Sequence, residues 1–277
     1  MTDIRKVDWG ELAQDYIEDM ENPYHRHRLR VLSSMIPERA LRPGARILDF
    51  GCGDGCFLPP FLKAGARVWA CDKEEKMIRA ARERLDRQDL CLDKNFLRCG
   101  GTELLAGFEP ESLDGIIAFN VLAYLNPDEE AEFYTQACRI VKNGGFLLVS
   151  HSNELFDLFS LNSYTASFFI RHLLYDPTRA GRIPELLRRA DHPSDEKAAP
   201  LAVRENPLNY GFKLAKHGFT EIRQEYMNWH EAPTPLLPGG DNACEGRTFP
   251  DTLDLPESER WKLLFTCSMF ASLSTRR

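Results

Sequence analysis

Ile47-Leu48-Asp49-Phe50-Gly51-Cys52-Gly53-Asp54-Gly55, followed about 20 residues later by Asp72, decides the fold. An apolar run that ends in a Gly-rich turn reads as a strand feeding a helix. Glycine lets the backbone approach a ligand where any Cβ would clash. The helix that follows turns its free N–H groups and positive dipole end toward that ligand. Asp72 closes a second apolar run, Arg67–Asp72, where a carboxylate can accept both hydroxyls of a ribose.

Two details separate this turn from a dinucleotide fingerprint. The spacing is Gly-x-Gly-x-Gly, and Cys56 stands where the third fingerprint glycine would be. Asp49 and Asp54 flank the turn with carboxylates that repel a pyrophosphate. A ligand with a cationic amino-acid end is attracted instead. S-adenosylmethionine carries a sulfonium and an ammonium and no phosphate, so the charge pattern favours it over NAD.

Outward from this stretch, strand and helix signals alternate. Strands are predicted at 46–50, 67–72, 96–99, 113–119 and 146–150, and helices at 57–64, 75–85 and 128–141, the last ended by Asn143-Gly144-Gly145. Alternation implies parallel strands with crossover helices, hence an α/β, Rossmann-like, doubly wound sheet. The expected organisation is an N-terminal helical cap over 1–38 and a core over 39–150. An inserted helical lid over 151–206 follows, then the last part of the sheet over 207–277. That last part holds a helix at 208–217, strands at 220–227 and 262–273, and a long Pro/Gly-rich loop at 228–258.

Residues 47–55 closely resemble motif I of the class I S-adenosylmethionine-dependent methyltransferases, and the likeness extends over about residues 40–150. The resemblance implies a seven-stranded, mostly parallel sheet completed by an antiparallel C-terminal hairpin. It also implies that S-adenosylmethionine is consumed and S-adenosylhomocysteine released. Asp49, Gly51, Cys52 and Gly53 are expected around the methionine part, Asp72 on the ribose, and Lys73 near the adenine. The family often has Gly-Asp-Ala where this chain has Gly100-Gly101-Thr102, so Thr102 or Glu103 is expected to supply the adenine contact. Asn120 and Val121 fall where the family lines the methionine end, and Val141–Gly145 matches the turn before the fifth strand.

The acceptor side is expected after that strand, because ligands of open α/β sheets bind outside the carboxyl ends of the strands. His151 is the first candidate base for a hydroxyl nucleophile, and His230 the second. Tyr124, Asn153 and Glu154 are expected to touch the acceptor. The segment from His151 to Phe159, with Asn206–Tyr210 and Trp229-His230, is similar to sugar-modifying and surface-polysaccharide methyltransferases of bacteria. This implies a sugar, nucleotide sugar or related metabolite as acceptor. N-methylation of a small amine, or cofactor binding without catalysis, is the alternative.

Composition bounds the rest. The 277 residues are 43% hydrophobic with a net charge of −7, which gives no basic stripe for nucleic acid. The densest basic stretch, His25-Arg26-His27-Arg28-Leu29-Arg30, reads as a solvated helix face. No window is apolar enough to span a membrane, and the first residues lack a secretory core. The eight cysteines form no CxxC pair and no His/Asp cluster has ligand spacing, so no metal is expected. A cytoplasmic monomer or homodimer acting on a small molecule is the resulting expectation.

Overall fold

The computed structural model describes residues 23–93, 96–160, 165, 203–230 and 255–277. The start of the N-terminal cap, most of the expected lid and residues 231–254 of the long loop lie outside the described residues. The elements are α1 (Pro23–Met35), β1 (Arg46–Phe50), α2 (Leu58–Lys63), β2 (Arg67–Asp72), α3 (Glu75–Asp86), β3 (Leu97–Cys99) and β4 (Leu113–Phe119). They continue with α4 (Pro127–Ile140), β5 (Val141–Asn153), β6 (Arg204–Glu205), α5 (Pro207–Lys216), β7 (Phe219–Trp229) and β8 (Cys267–Arg276).

The strands form one sheet in the order β3-β2-β1-β4-β5-β8-β7. β1 to β5 pair in parallel, and β8 runs antiparallel to both β5 and β7. The order reverses between β1 and β4, which opens a crevice at their carboxyl ends. Both faces of the sheet are covered. Ile47, Val68, Ile117 and Leu148 pack on one side with Phe61 and Ile78. Leu48, Ile116, Leu147 and Val149 pack on the other with Phe133 and Ile140. Such two-sided burial explains why these strands read as continuous apolar runs rather than alternating ones. α4 starts at a capping box: the Asn126 side chain accepts from the Asp128 and Glu129 N–H groups, and Glu129 accepts from the Asn126 N–H.

Three boundaries differ from expectation. β5 begins at Val141, directly after α4, and runs on to Asn153. Val141 pairs with Leu113, but the ladder resumes only at Phe146, opposite Gly115, so residues 142–145 bulge out at the expected glycine turn, with Gly144 at φ +72°. β8 begins at Cys267 because residues 257–266, rich in charged and helix-favouring side chains, wind into short helical turns. The short β6 adds a strand to the expected seven, pairing with Ser152 and Asn153 of β5.

Candidate active site

The glycine turn after β1 is held open by its neighbours. Gly51 has φ +71° and Gly53 φ +53°, left-handed conformations in which glycine carries no penalty. A Cβ on Gly51 would stand 2.5 Å from Cγ2 of Val121. The Gly51 and Cys52 N–H groups donate to the Cys71 carbonyl at 2.8 and 2.9 Å, which fastens the turn to β2. Asp72 completes the fastening: its Oδ2 accepts from the Gly53 N–H at 2.9 Å and its Oδ1 from the Glu74 N–H at 3.0 Å. On the far wall Asn120 leaves β4 at φ +56°, an uncommon conformation for a side-chain-bearing residue, and its N–H donates to Ser150 Oγ.

Two cavities meet at this turn. The larger, about 700 Å³ and open to solvent, is lined by Gly51, Gly53, Asp72, Lys73, Met77, Gly100, Gly101, Asn120, Val121 and Tyr124. The smaller, about 400 Å³, is lined by Arg28, Asp49, Cys52, Gly53, Asn120 and Ser150. Gly51, Gly53, Phe119 and Asn120 border both.

The charges in the smaller cavity are unusual. Asp49 is 2% exposed, and its Oδ2 has no hydrogen-bond partner among the described residues. Burial, reinforced by the nearby Asp72 and Asp54 carboxylates, pushes its pKa up to about 8. A buried carboxylate with an unfilled acceptor position is a ready partner for an ammonium group. Arg28 faces the same space from α1 and is 5% exposed. This corrects half of the reading of the basic stretch as a solvated face: Arg26 and Arg30 are exposed, but His27 and Arg28 are buried because α1 packs against β7. Asp54 also departs from expectation. It is ion-paired with Arg84, which neutralises it, so the electrostatic preference rests on Asp49 and Asp72.

S-adenosylmethionine fits this donor set. An amino-acid end needs a carboxylate and a cation, as Asp49 and Arg28 provide in one cavity. A ribose needs an acceptor, as Asp72 provides. The larger cavity offers room and an apolar wall of Met77, Val121 and Leu125 for a base.

The other expected residues divide. Lys73 and Tyr124 line the larger cavity. There the wall at the family's Gly-Asp-Ala position is formed by Gly100 and Gly101 rather than Thr102 or Glu103. Glu103 folds back, its Oε1 accepting from the Gly101 N–H at 2.7 Å. Asn153 is fully buried and committed to the fold. Its Nδ2 donates to the Leu264 and Cys267 carbonyls at 2.7 and 2.8 Å, and its Oδ1 accepts from the Leu155 N–H. His151 requires the clearest correction. It is 1% exposed, with its ring packed 4.6 Å from Tyr210 and 5.6 Å from Phe270. Burial and the Lys213 charge hold its pKa down to about 3, so it stays neutral and sealed from both cavities. The reason is the extra length of β5, which carries His151 into the pairing with β8. Glu154, half-buried, and His230, packed 4.7 Å from Phe156, also line neither cavity.

Comparison with known proteins agrees with this geometry. Residues 47–145 match the family described as a methyltransferase domain. Among curated relatives, the ubiquinone biosynthesis O-methyltransferase of Maricaulis maris is 29% identical over 197 residues, covering 69% of this chain and 72% of that protein. Its counterpart in Xanthomonas campestris is 31% identical over 139 residues, covering 50% of this chain and 56% of that protein. A SAM-dependent methyltransferase from Archaeoglobus fulgidus shares the fold, with a TM-score of 0.54 at 17% identity over 94% of this chain and 99% of that one.

Proposed function

On the premise that this chain is a class I S-adenosylmethionine-dependent methyltransferase, we propose that it methylates a hydroxyl oxygen of a small polar acceptor. The observation that carries the reading is the junction of the two cavities at Gly51 and Asn120. That junction separates an amino-acid-binding end from a nucleoside-binding end. The cofactor supplies an electrophilic methyl group on its sulfonium. Asp49 and Arg28 would hold its amino-acid end, Asp72 its ribose, and Lys73 and the Gly100-Gly101 backbone would border its base. Asn120 and Val121 would flank the cofactor's methionine end, and Tyr124, on the larger cavity, would face the acceptor.

Alignment supplies much of the acceleration of such a transfer. His151 and His230, the two candidates from the sequence, line neither cavity, so a proton acceptor on the acceptor side is left to other groups. Oxygen rather than nitrogen is favoured by the names of the curated relatives. Those names give no support to a sugar or nucleotide sugar, so the acceptor is defined here by its hydroxyl alone. The net charge of −7 disfavours nucleic acid, and the described cysteines are all free thiols, in keeping with a cytoplasmic setting.

The test is transfer of a tritiated methyl group to panels of phenols, sugars, nucleotide sugars and amines. Label in an ether product supports the reading. Label appearing in amines alone overturns it.

A further inference from the structure

Behind Arg28 lies a buried polar cluster that cofactor binding, as described, does not use. Asn228, near the end of β7, is 1% exposed and has φ +60°, a left-handed conformation rare for a residue within a strand. Its neighbours keep ordinary antiparallel register, Met227 opposite Met269 and Trp229 opposite Cys267. Strand alternation would turn the Asn228 side chain to the face opposite Met227 and Met269. The left-handed twist brings it back: Asn228 Nδ2 lies 3.3 Å from Met269 Sδ. The same sulfur lies 4.0 Å from Nη1 of Arg28, across 241 residues of chain. The Asn228 Oδ1 has no hydrogen-bond partner among the described residues. A strained backbone that delivers an amide to the sulfur beneath a cavity-lining arginine is best explained by the position of that arginine.

We infer that Asn228, acting through Met269, is a positioning residue that fixes the Arg28 guanidinium in the amino-acid end of the cofactor site. The inference rests on the reading of that cavity given above. Met269 Sδ accepts from both side chains, so the thioether and the guanidinium move together. Removing either the amide or the sulfur takes away one of the contacts that direct the guanidinium toward the carboxylate it is to meet. The effect falls on ligands that carry the amino-acid part and spares those that lack it.

Calorimetry on the full chain tests this with two probes. S-adenosylhomocysteine has the amino-acid end; 5′-methylthioadenosine keeps the nucleoside and thioether without it. Asn228→Gly preserves the left-handed backbone and removes only the amide. Met269→Leu preserves volume and removes only the sulfur. Each is expected to weaken S-adenosylhomocysteine about five-fold, the scale of one hydrogen bond, and to leave methylthioadenosine unchanged. In an Arg28→Met background Asn228→Gly is expected to add nothing, because both act on one group. Equal weakening of both probes by Asn228→Gly and by Met269→Leu overturns the inference, as does a further loss in the Arg28→Met background. If Arg28→Met alone leaves S-adenosylhomocysteine at wild-type affinity, the reading of the cavity fails, and the positioning role falls with it.

Discussion

The carboxyl ends of β4 and β5 lie side by side in one sheet, and both strands are followed by polar residues. They end differently. β4 stops at Phe119, and Asn120 turns out in a left-handed conformation to line both cavities. β5 continues to Asn153, paired with β8 on one side and with β6 beyond. Its polar residues His151 and Asn153 are therefore enclosed, one by aromatic rings and one by three backbone hydrogen bonds. Asn120 reaches the cavities because β4 stops before it, whereas His151 and Asn153 are enclosed because β5 runs on through them. Around β1, β2 and β4 substitutions should act on ligand affinity; around the end of β5 they should act on stability.

The largest effect is expected at Asp72. Reversing its charge with Asp72→Lys removes the acceptor for two backbone N–H groups and, in the proposed site, for the ribose. Calorimetry should show cofactor affinity reduced by about 100-fold or more, since each charged hydrogen bond contributes roughly 1.5–3 kcal/mol. Next comes Gly51→Val, which drives a branched side chain into Val121 from a left-handed backbone. A loss of affinity of about 30-fold is expected, from roughly 2 kcal/mol of overpacking, with a lowered melting temperature.

Asn153→Ala should sharpen the contrast. It removes two donors to backbone carbonyls and the acceptor for the Leu155 N–H, costing roughly 2–3 kcal/mol in denaturant unfolding. Cofactor affinity should stay within about two-fold of wild type, inside the additivity error for distant sites. The smallest effect is expected from His151→Gln on the pH profile of turnover. A histidine held near pKa 3 titrates well below neutral pH, so the profile between pH 6 and 8 should keep its shape. A lost inflection in that range would restore His151 as a base.

The same contrast explains what could be read in advance. Asp49, Gly51, Gly53 and Asp72 sit on or beside one local strand–turn–strand pattern whose chemistry is carried by neighbours in sequence, so their placement around two adjoining cavities was legible. Arg28 was not. In His25–Arg30 nothing local distinguishes a solvated charge from one buried by packing of α1 on β7, a contact made across about 190 residues of chain. His151 was misplaced for a related reason. The length of β5 is set by partners in β6 and β8, more than 50 and 115 residues away. The Asp54–Arg84 pair likewise removed a charge that the sequence showed as available.

The claim on which the cofactor reading depends is that Asp49 meets a cation in ionised form. With its pKa raised to about 8, the ligand-free folded state favours a protonated Asp49. Its contribution to stability is present below about pH 4 and is lost as pH rises through about 8, so the ligand-free melting temperature should fall over that window. Binding the cation reverses this by drawing the proton off.

Calorimetry of S-adenosylmethionine binding at pH 7, in buffers of different ionisation enthalpy, counts the protons exchanged. Subtracting the count for Asp49→Asn cancels protons exchanged by the ligand itself. The wild type is expected to release about one proton more per ligand bound than the variant. An identical count in both proteins, with affinity equally unchanged, would contradict it.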